Sequence, residues 1–129
     1  MGTIRVQLVV TELEDGSTIS ETRVDESIEF VEITRNRLRV QPGAAAVDIS
    51  SMFTQLGTSA EAKGIFVKSS QDGVVLNVTT TTGETAVIPC YPGAYMGQKE
   101  GFNVGGVFRM EVELPSGDMT AVVEVVAYG

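Results

Sequence analysis

The sequence predicts an all-β protein, folded as a single antiparallel β-sandwich of nine to ten strands with at most one short helical turn. Val, Ile and Thr together supply 39 of the 129 residues, whereas Leu and Ala supply 15. Such β-branched side chains favour pleated strands over helices. Apolar and polar residues alternate along several segments, which is the period of a half-buried strand. Glycine-containing turns recur at roughly ten-residue intervals in the second half of the chain, a spacing typical of sandwiches and barrels.

The N-terminal segment alternates strictly over its first eleven residues. Its apolar side consists of Ile4, Val6, Leu8 and Val10. This alternation predicts a half-buried strand, followed by a turn at Glu14-Asp15-Gly16. A second strand is expected over Ser17–Thr22, and a one-residue slip in the apolar spacing suggests a β-bulge at Val31-Glu32.

The middle of the chain predicts one strand, one loop and one helical turn. Alternation resumes at Arg37–Val40, and Pro42-Gly43 with three following alanines indicates a loop within one domain. Thr58–Lys63 is the best candidate for a single helical turn, because Ser59 is placed to cap it.

From Gly64 onward the sequence predicts a series of hairpins. Turns are expected at Gln71–Gly73, Thr82–Glu84 and Pro115–Asp118. Residues 92–106 contain five glycines and are expected to form a long loop. The chain is therefore expected to fold as one domain over residues 1–129, with N-terminal strands and charged segments in 1–63 and a hairpin-rich half in 64–129.

The composition removes whole classes of reaction. The chain has no His, no Trp and a single cysteine, Cys90. A Ser-His-Asp or Cys-His arrangement, a His-ligated metal site and an internal disulfide therefore cannot be assembled within it. We expect no catalytic residue, no metal and no cofactor, and we expect Cys90 to be buried. An enzyme would need a carboxylate-only mechanism.

The charge balance argues against nucleic-acid and membrane partners. The net charge is −8, whereas binding to phosphates requires clustered Lys and Arg. The sequence has no apolar run long enough to span a membrane and no signal-peptide pattern at its start. We therefore expect a protein that folds in a cytoplasm.

The charges are unevenly distributed along the chain. Eight acidic residues and one basic residue lie between positions 12 and 32, and Arg35, Arg37 and Arg39 follow without an intervening acid. One interpretation is that Arg37 and Arg39 share the outward face of a strand and pair with Glu29 and Glu32 on the adjoining strand. The other is that the arginine stripe or the acidic segment binds a partner of complementary charge.

Aromatic and flexible residues combine in the segment from Tyr91 to Phe102. Tyr95, Met96 and Phe102 lie among several glycines there, and these side-chain types are enriched at protein interfaces. The segment is interpreted either as a partner-binding loop or as a cap over one open end of the sandwich.

One series of features resembles a known class of proteins. It comprises Gly64–Val67, Ser69–Val78, Val87–Pro89, Pro92-Gly93 and Ala121–Val126. In this order, with a short turn before Val87, the segments resemble small β-sandwich structural proteins of tailed-bacteriophage virions, including the decoration or cement proteins of capsids. The resemblance covers about half of the chain and rests on the order of strands and turns.

This resemblance implies a jelly-roll-like domain without catalysis or cofactor, which binds the major capsid protein, commonly as a homotrimer. Its expected place is the capsid surface of a virion assembled in the host cytoplasm, where it would stabilise the lattice. The residues expected to contact a partner are Arg35, Arg37, Arg39, Tyr95, Met96 and Phe102. The alternatives are a tail, neck or fibre-base component and a carbohydrate-binding β-sandwich module.

Overall fold

The computed structural model describes residues 2–54, 61–80, 82–103 and 107–129. Within these ranges it describes all side chains except those of residues 53–54, 61–62, 80, 98–103 and 107–108. The chain divides into two compact units, Met1–Val31 and Glu32–Gly129. We call the first unit the arm and the second the body.

The arm is a long antiparallel hairpin. Strand β1 spans Gly2–Glu14 and strand β2 spans Ser17–Phe30, so β2 is longer than the sequence predicts. The turn occurs where it is expected, because Asp15 and Gly16 have φ angles of 50° and 78°. Two positive φ angles define the tight hairpin turn that Asp-Gly favours.

The register shift of the hairpin lies near its turn, not at Val31-Glu32. The register shifts between Glu12 and Leu13, whereas Val31 and Glu32 separate β2 from the first strand of the body. The bulge prediction was therefore wrong, because the slip in apolar spacing marks the end of one strand and the start of another.

Among its described residues, the body contains eight strands and one helical turn. The strands are β3 (Ile33–Val40), β4 (Val47–Asp48), β5 (Glu61–Ser69), β6 (Val75–Thr80), β7 (Thr85–Pro89), β8 (Ala94–Asn103), β9 (Val107–Glu113) and β10 (Ala121–Tyr128), and the helical turn is α1 (Ser51–Thr54). They form two four-stranded antiparallel sheets, in the orders β3-β10-β5-β8 and β4-β9-β6-β7. The predicted all-β class with antiparallel sheets is confirmed.

One hydrophobic core joins the two sheets of the body. Along β10, Ala121, Val123, Val125 and Ala127 are completely buried. They belong to the same buried cluster as Leu76 and Met110 of the opposite sheet, so the sheets pack face to face, as in a β-sandwich.

Cys90 belongs to this core and is fully buried. Burial raises the pKa of its thiol to about 11, because the apolar surroundings disfavour the charged thiolate. The expectation of a buried, unreactive cysteine is thus supported by its position.

Two local predictions differ from the structure. The helical turn of the body lies at Ser51–Thr54, not at Thr58–Lys63; of the latter segment, residues 58–60 lie outside the described residues and Glu61–Lys63 belong to β5. The expected long loop over residues 92–106 is largely strand, because Ala94–Asn103 pairs with β5. No helix in the described part of the chain is long and apolar enough to cross a membrane.

Candidate functional site

The face of the β3-β10-β5-β8 sheet that points away from the core, here called the outer face, carries four of the residues expected to contact a partner. They are Arg35, Arg37, Arg39 and Tyr95. Directly opposed residues of neighbouring strands point to the same side of a sheet. The register places Arg35 opposite Val126, Val126 opposite Phe66, and Phe66 opposite Tyr95. A single row therefore crosses the sheet from a basic edge to an aromatic edge.

The second row of this face is charged. It runs from Arg37 through Glu124 to Lys68, and all three side chains are exposed. Arg39 follows on the same side of β3, opposite Val122. The three arginines thus form a stripe along an edge strand, where charged side chains also suppress unwanted strand pairing.

The arginine stripe does not pair with the acids of the preceding segment. Glu29 lies on β2, which pairs with β1, and β3 pairs with β10, where Glu124 lies opposite Arg37. Within the described ranges, no ion pair involves any of the three arginines. The interpretation of pairing with Glu29 and Glu32 was therefore wrong, because the hairpin turns β2 back onto β1.

At the aromatic end of the outer face, glycines leave space for aromatic rings. Tyr128 lies two residues after Val126 on β10, so both side chains start from the same side of the sheet, and Tyr128 lies opposite Gly64. A Cβ atom at Gly64 would lie 2.5 Å from the Tyr128 Cζ atom. Its hydroxyl group makes a hydrogen bond with that of Tyr95. Burial and this hydrogen bond raise the pKa of Tyr128. Only a residue without a side chain leaves room for the buried Tyr128 ring.

Three aromatic side chains are exposed among those that the structure describes. Phe66 is 36% exposed, Tyr95 is 40% and Tyr91 is 50%. A Cβ atom at Gly93 would lie 3.2 Å from the Phe66 ring, so the segment after Tyr91 passes close to the same row. This end of the face offers ring surface to a partner or a ligand.

Met96 does not join the exposed row. Met96 lies opposite Ile65 in the register and packs against the buried core, so its side chain stabilises the packing of the body. Phe102 belongs to β8, where its backbone lies opposite Ala62. The side chain of Phe102 lies outside the described residues.

The arm presents a second, more apolar surface. On the half of the hairpin nearest its turn, Leu8 is 57% exposed, Val10 is 59% and Val24 is 44%. Leu8 lies directly opposite Val24 in the register, so these side chains share one side. The predicted half-burial of this strand was wrong there, because a two-stranded hairpin has no second layer of its own.

The other side of the arm carries two ion pairs as well as the exposed Val9 and Leu13. Arg5 binds Asp25 with an N–O distance of 2.7 Å, and Arg23 binds Glu21 at 3.1 Å. The hydrogen bonds from Arg5 hold the pKa of Asp25 below its usual value. The sequence predicted both strands and the turn of the arm, but not the full length of β2 or the exposure of its apolar residues.

The turn end of the arm carries acids without cations. Glu12, Glu14 and Asp15 are exposed and take part in no ion pair within the described part of the chain. They flank Leu13, which is 61% exposed. We call Glu12–Asp15 the arm tip.

A cleft opens on the body where β3 ends. Its volume is about 340 Å³. It is lined by Arg39, Val40, Gln41, Ala44, Ala45, Val47 and Thr120. Val40 is buried at 1% exposure, whereas the side chain of Arg39 is exposed. The cleft lining thus combines the apolar residues Ala44, Ala45 and Val47 with the polar residues Arg39, Gln41 and Thr120.

The outer face, the arm and the cleft offer binding surfaces: arginines, aromatic rings and exposed aliphatic side chains. Among the residues that the structure describes, no group of three or more His, Cys, Asp or Glu side chains is arranged to hold a metal ion. Comparison with known proteins found no matching family model, curated protein or solved structure.

Proposed function

We propose that this chain is a non-enzymatic structural protein of an assembled particle, and specifically a decoration protein that binds the major capsid protein lattice of a tailed bacteriophage. The observation that carries the structural role is the arm. Six aliphatic side chains in the half of the arm nearest its turn are between 44% and 61% exposed: Leu8, Val9, Val10, Leu13, Ile19 and Val24. Exposed apolar surface of this kind marks an interaction site.

The body supports the more specific proposal through its strand order. Eight strands form two four-stranded sheets, and every connection except β6–β7 passes from one sheet to the other. This arrangement favours the jelly-roll interpretation, an architecture that occurs in viral capsid and lectin domains. The net charge of −8 suits a protein that binds a protein lattice, not packaged nucleic acid.

The outer face is the part of the body proposed to contact the lattice. Arg35 and Arg37 extend from an edge strand, and neither forms an ion pair within the described part of the chain. Exposed charges at an interface chiefly set the orientation and rate of association. A lattice that presents carboxylates at this position would be bound in one register, and association as a trimer would multiply the contacts.

Replacing Arg35 and Arg37 together by Ala is expected to weaken binding to particles about tenfold while leaving the body folded. The measurement uses particles of the phage that encodes the chain, stripped of it and titrated with purified protein. The matched control is Arg109→Ala on the opposite sheet, where the arginine pairs with Glu111. Circular dichroism establishes folding of each variant.

Three outcomes of this experiment are informative. Occupancy on the capsid that falls only for the Arg35→Ala/Arg37→Ala variant supports the proposal. Occupancy unchanged by that variant removes the stripe from the contact. Electron microscopy that finds the chain in the tail, or mass spectrometry that finds none in particles, contradicts the decoration role.

The exposed rings favour carbohydrate binding as a second candidate function. Phe66 and Tyr95 lie side by side on the outer face, and aromatic surfaces of this kind pack against the apolar faces of sugars. Saturable binding of the isolated chain to a glycan array, lost in Phe66→Ala, would support this candidate. A flat array response from the folded chain would remove it.

A further inference from the structure

We propose that the free edge of strand β3 binds an extended segment of a partner protein by strand addition, and that this segment carries carboxylates at alternate positions, opposite Arg35, Arg37 and Arg39. This contact deepens the one proposed for the outer face. It rests on the proposed function only for the source of the segment, the capsid lattice.

Strand β3 lies at an edge of its sheet. Among the described strands, β10 is its one hydrogen-bonded neighbour. Arg35, Asn36 and Arg37 are exposed in succession, so both faces of the strand reach solvent at its middle. An edge strand of this kind presents a row of backbone N–H and C=O groups with which another chain can pair.

The backbone groups at this edge belong to the three arginines. In an antiparallel pair, residues whose backbone groups bond to the neighbouring strand alternate with residues whose groups point away from it. Glu32 and Gly129 exchange two backbone hydrogen bonds of 3.0 Å, and they lie next to the first pair of the β3–β10 ladder. Counting in steps of two from Glu32, the alternation directs the N–H and C=O groups of Arg35, Arg37 and Arg39 away from β10.

Two contacts agree with this direction. The backbone N–H group of Arg37 donates a hydrogen bond of 2.8 Å to the Oδ1 atom of Asn36, so a side chain satisfies the N–H group that a carbonyl group of an added strand would bind. On β10, Val122 lies opposite Arg39. Its carbonyl group accepts a hydrogen bond of 2.9 Å from the Ser70 N–H group, and its own N–H group donates one of 3.0 Å to the Ser70 Oγ atom. The backbone groups of Val122 therefore point away from β3.

The same three arginines determine the side-chain chemistry of the partner. Their side chains lie on the outer face, and none of them forms an ion pair within the described ranges. In an antiparallel strand added at this edge, the residues directly opposite the arginines form hydrogen-bonded pairs and point to the same face. Carboxylates at these positions would therefore lie beside the guanidinium groups, which bind them in a bidentate geometry.

The charges favour a segment of another protein over a second copy of this chain. Antiparallel pairing of two β3 strands would place arginines opposite arginines, which is destabilising. None of the described strands carries carboxylates at three successive alternate positions; in β2, Arg23 separates Glu21 from Asp25. Main-chain hydrogen bonds would supply affinity for the foreign strand, and the alternate carboxylates would supply specificity.

The first test titrates the purified chain with a rhodamine-labelled peptide, Thr-Glu-Thr-Glu-Thr-Glu-Thr, and follows fluorescence anisotropy at low ionic strength. We expect saturable binding, and at least about fivefold weaker binding of a peptide with the same composition and three adjacent acids. Arg37→Ala is expected to raise the dissociation constant about tenfold. The matched control is Lys68→Ala, which removes a cation of the same outer face from β5, two strands from the edge, and should change the constant less than about twofold. Circular dichroism establishes folding of each variant.

The second test separates strand addition from contact through side chains alone. N-methylation of the central Glu of the peptide removes an N–H group that would face β3 and places a methyl group between the strands. It is expected to raise the dissociation constant at least about tenfold. N-methylation of the Thr that follows this Glu alters an N–H group that points away from β3, so a change of less than about threefold is expected.

The outcomes distinguish this contact from the proposed function. Absence of saturable binding by the folded chain overturns strand addition. Equal losses for Arg37→Ala and Lys68→Ala, or for the two N-methylated peptides, also overturn it. These measurements use no particles. If they fail while Arg35→Ala/Arg37→Ala still lowers occupancy on the capsid, the decoration role stands and its contact does not involve strand addition.

Discussion

Met110→Ala is expected to lower the free energy of unfolding of the body by about 2–5 kcal/mol. Met110 lies in the middle of β9 and is completely buried in the core between the two sheets. Truncation removes most of its apolar contacts and leaves a cavity that packed strands fill only in part. Urea denaturation followed by circular dichroism measures the loss.

The backbone around Met110 restricts relaxation into that cavity. Its N–H group donates a hydrogen bond to the Ser50 Oγ atom, and its carbonyl group accepts one from the Ile49 N–H group. These bonds hold β9 against the segment that contains α1. The surrounding chain therefore cannot collapse freely, so the upper part of the expected range applies.

The control for this prediction is Val87→Ala. Val87 is 66% exposed on β7, and truncation of an exposed side chain is expected to change stability by less than about 0.5 kcal/mol. The midpoint of the Met110→Ala transition should fall while the slope with urea concentration stays constant. A loss no greater than that of the control would contradict the position of Met110 in the core.

Gly64→Ala is expected to destabilise the body by about 1–3 kcal/mol, because it overpacks an occupied site. The added Cβ atom would lie 2.5 Å from the Tyr128 Cζ atom and 2.8 Å from its Cε1 atom. Tyr128 is only 1% exposed, so its ring must leave a packed position. That movement also breaks the hydrogen bond between the hydroxyl groups of Tyr128 and Tyr95.

A second glycine variant and a double-mutant cycle test whether a clash with the Tyr128 ring causes the loss of stability. Gly93→Ala would place its Cβ atom 3.2 Å from the Phe66 ring, which is partly exposed and can yield, so a smaller loss is expected. Combining Gly64→Ala with Tyr128→Leu should cost less than the sum of the single changes, because contacting residues couple. Strict additivity would contradict the predicted clash.

The body could be predicted from the sequence because its signals are local. Glycine at Gly73 and Gly83 specifies turns with positive φ angles, and the alternation in β10 places Val123 and Val125 inward. These patterns depend on backbone geometry and strand period alone. The class of the fold and most strands of the hairpin-rich half follow from them.

The candidate site could not be predicted to the same extent because it depends on pairing between distant strands. Arg35 and Tyr95 lie on one face only because β10 and β5 stand between them in register. The half-burial predicted for β1 was wrong near the turn of the arm for a related reason. Alternation in β1 shows which residues share a side, but it does not reveal whether another layer covers that side.

The pairing of β3 with β10 is expected to slow the folding of the body. Val40 lies opposite Ala121 and Ile33 lies opposite Tyr128, so this pair joins opposite ends of the body sequence and gives the fold a high contact order. Closing so long a loop is entropically costly and makes such β topologies slow to fold. The cleft contains Val40 from one side of this closure and Thr120 from the other. The cleft therefore exists only in a completed body.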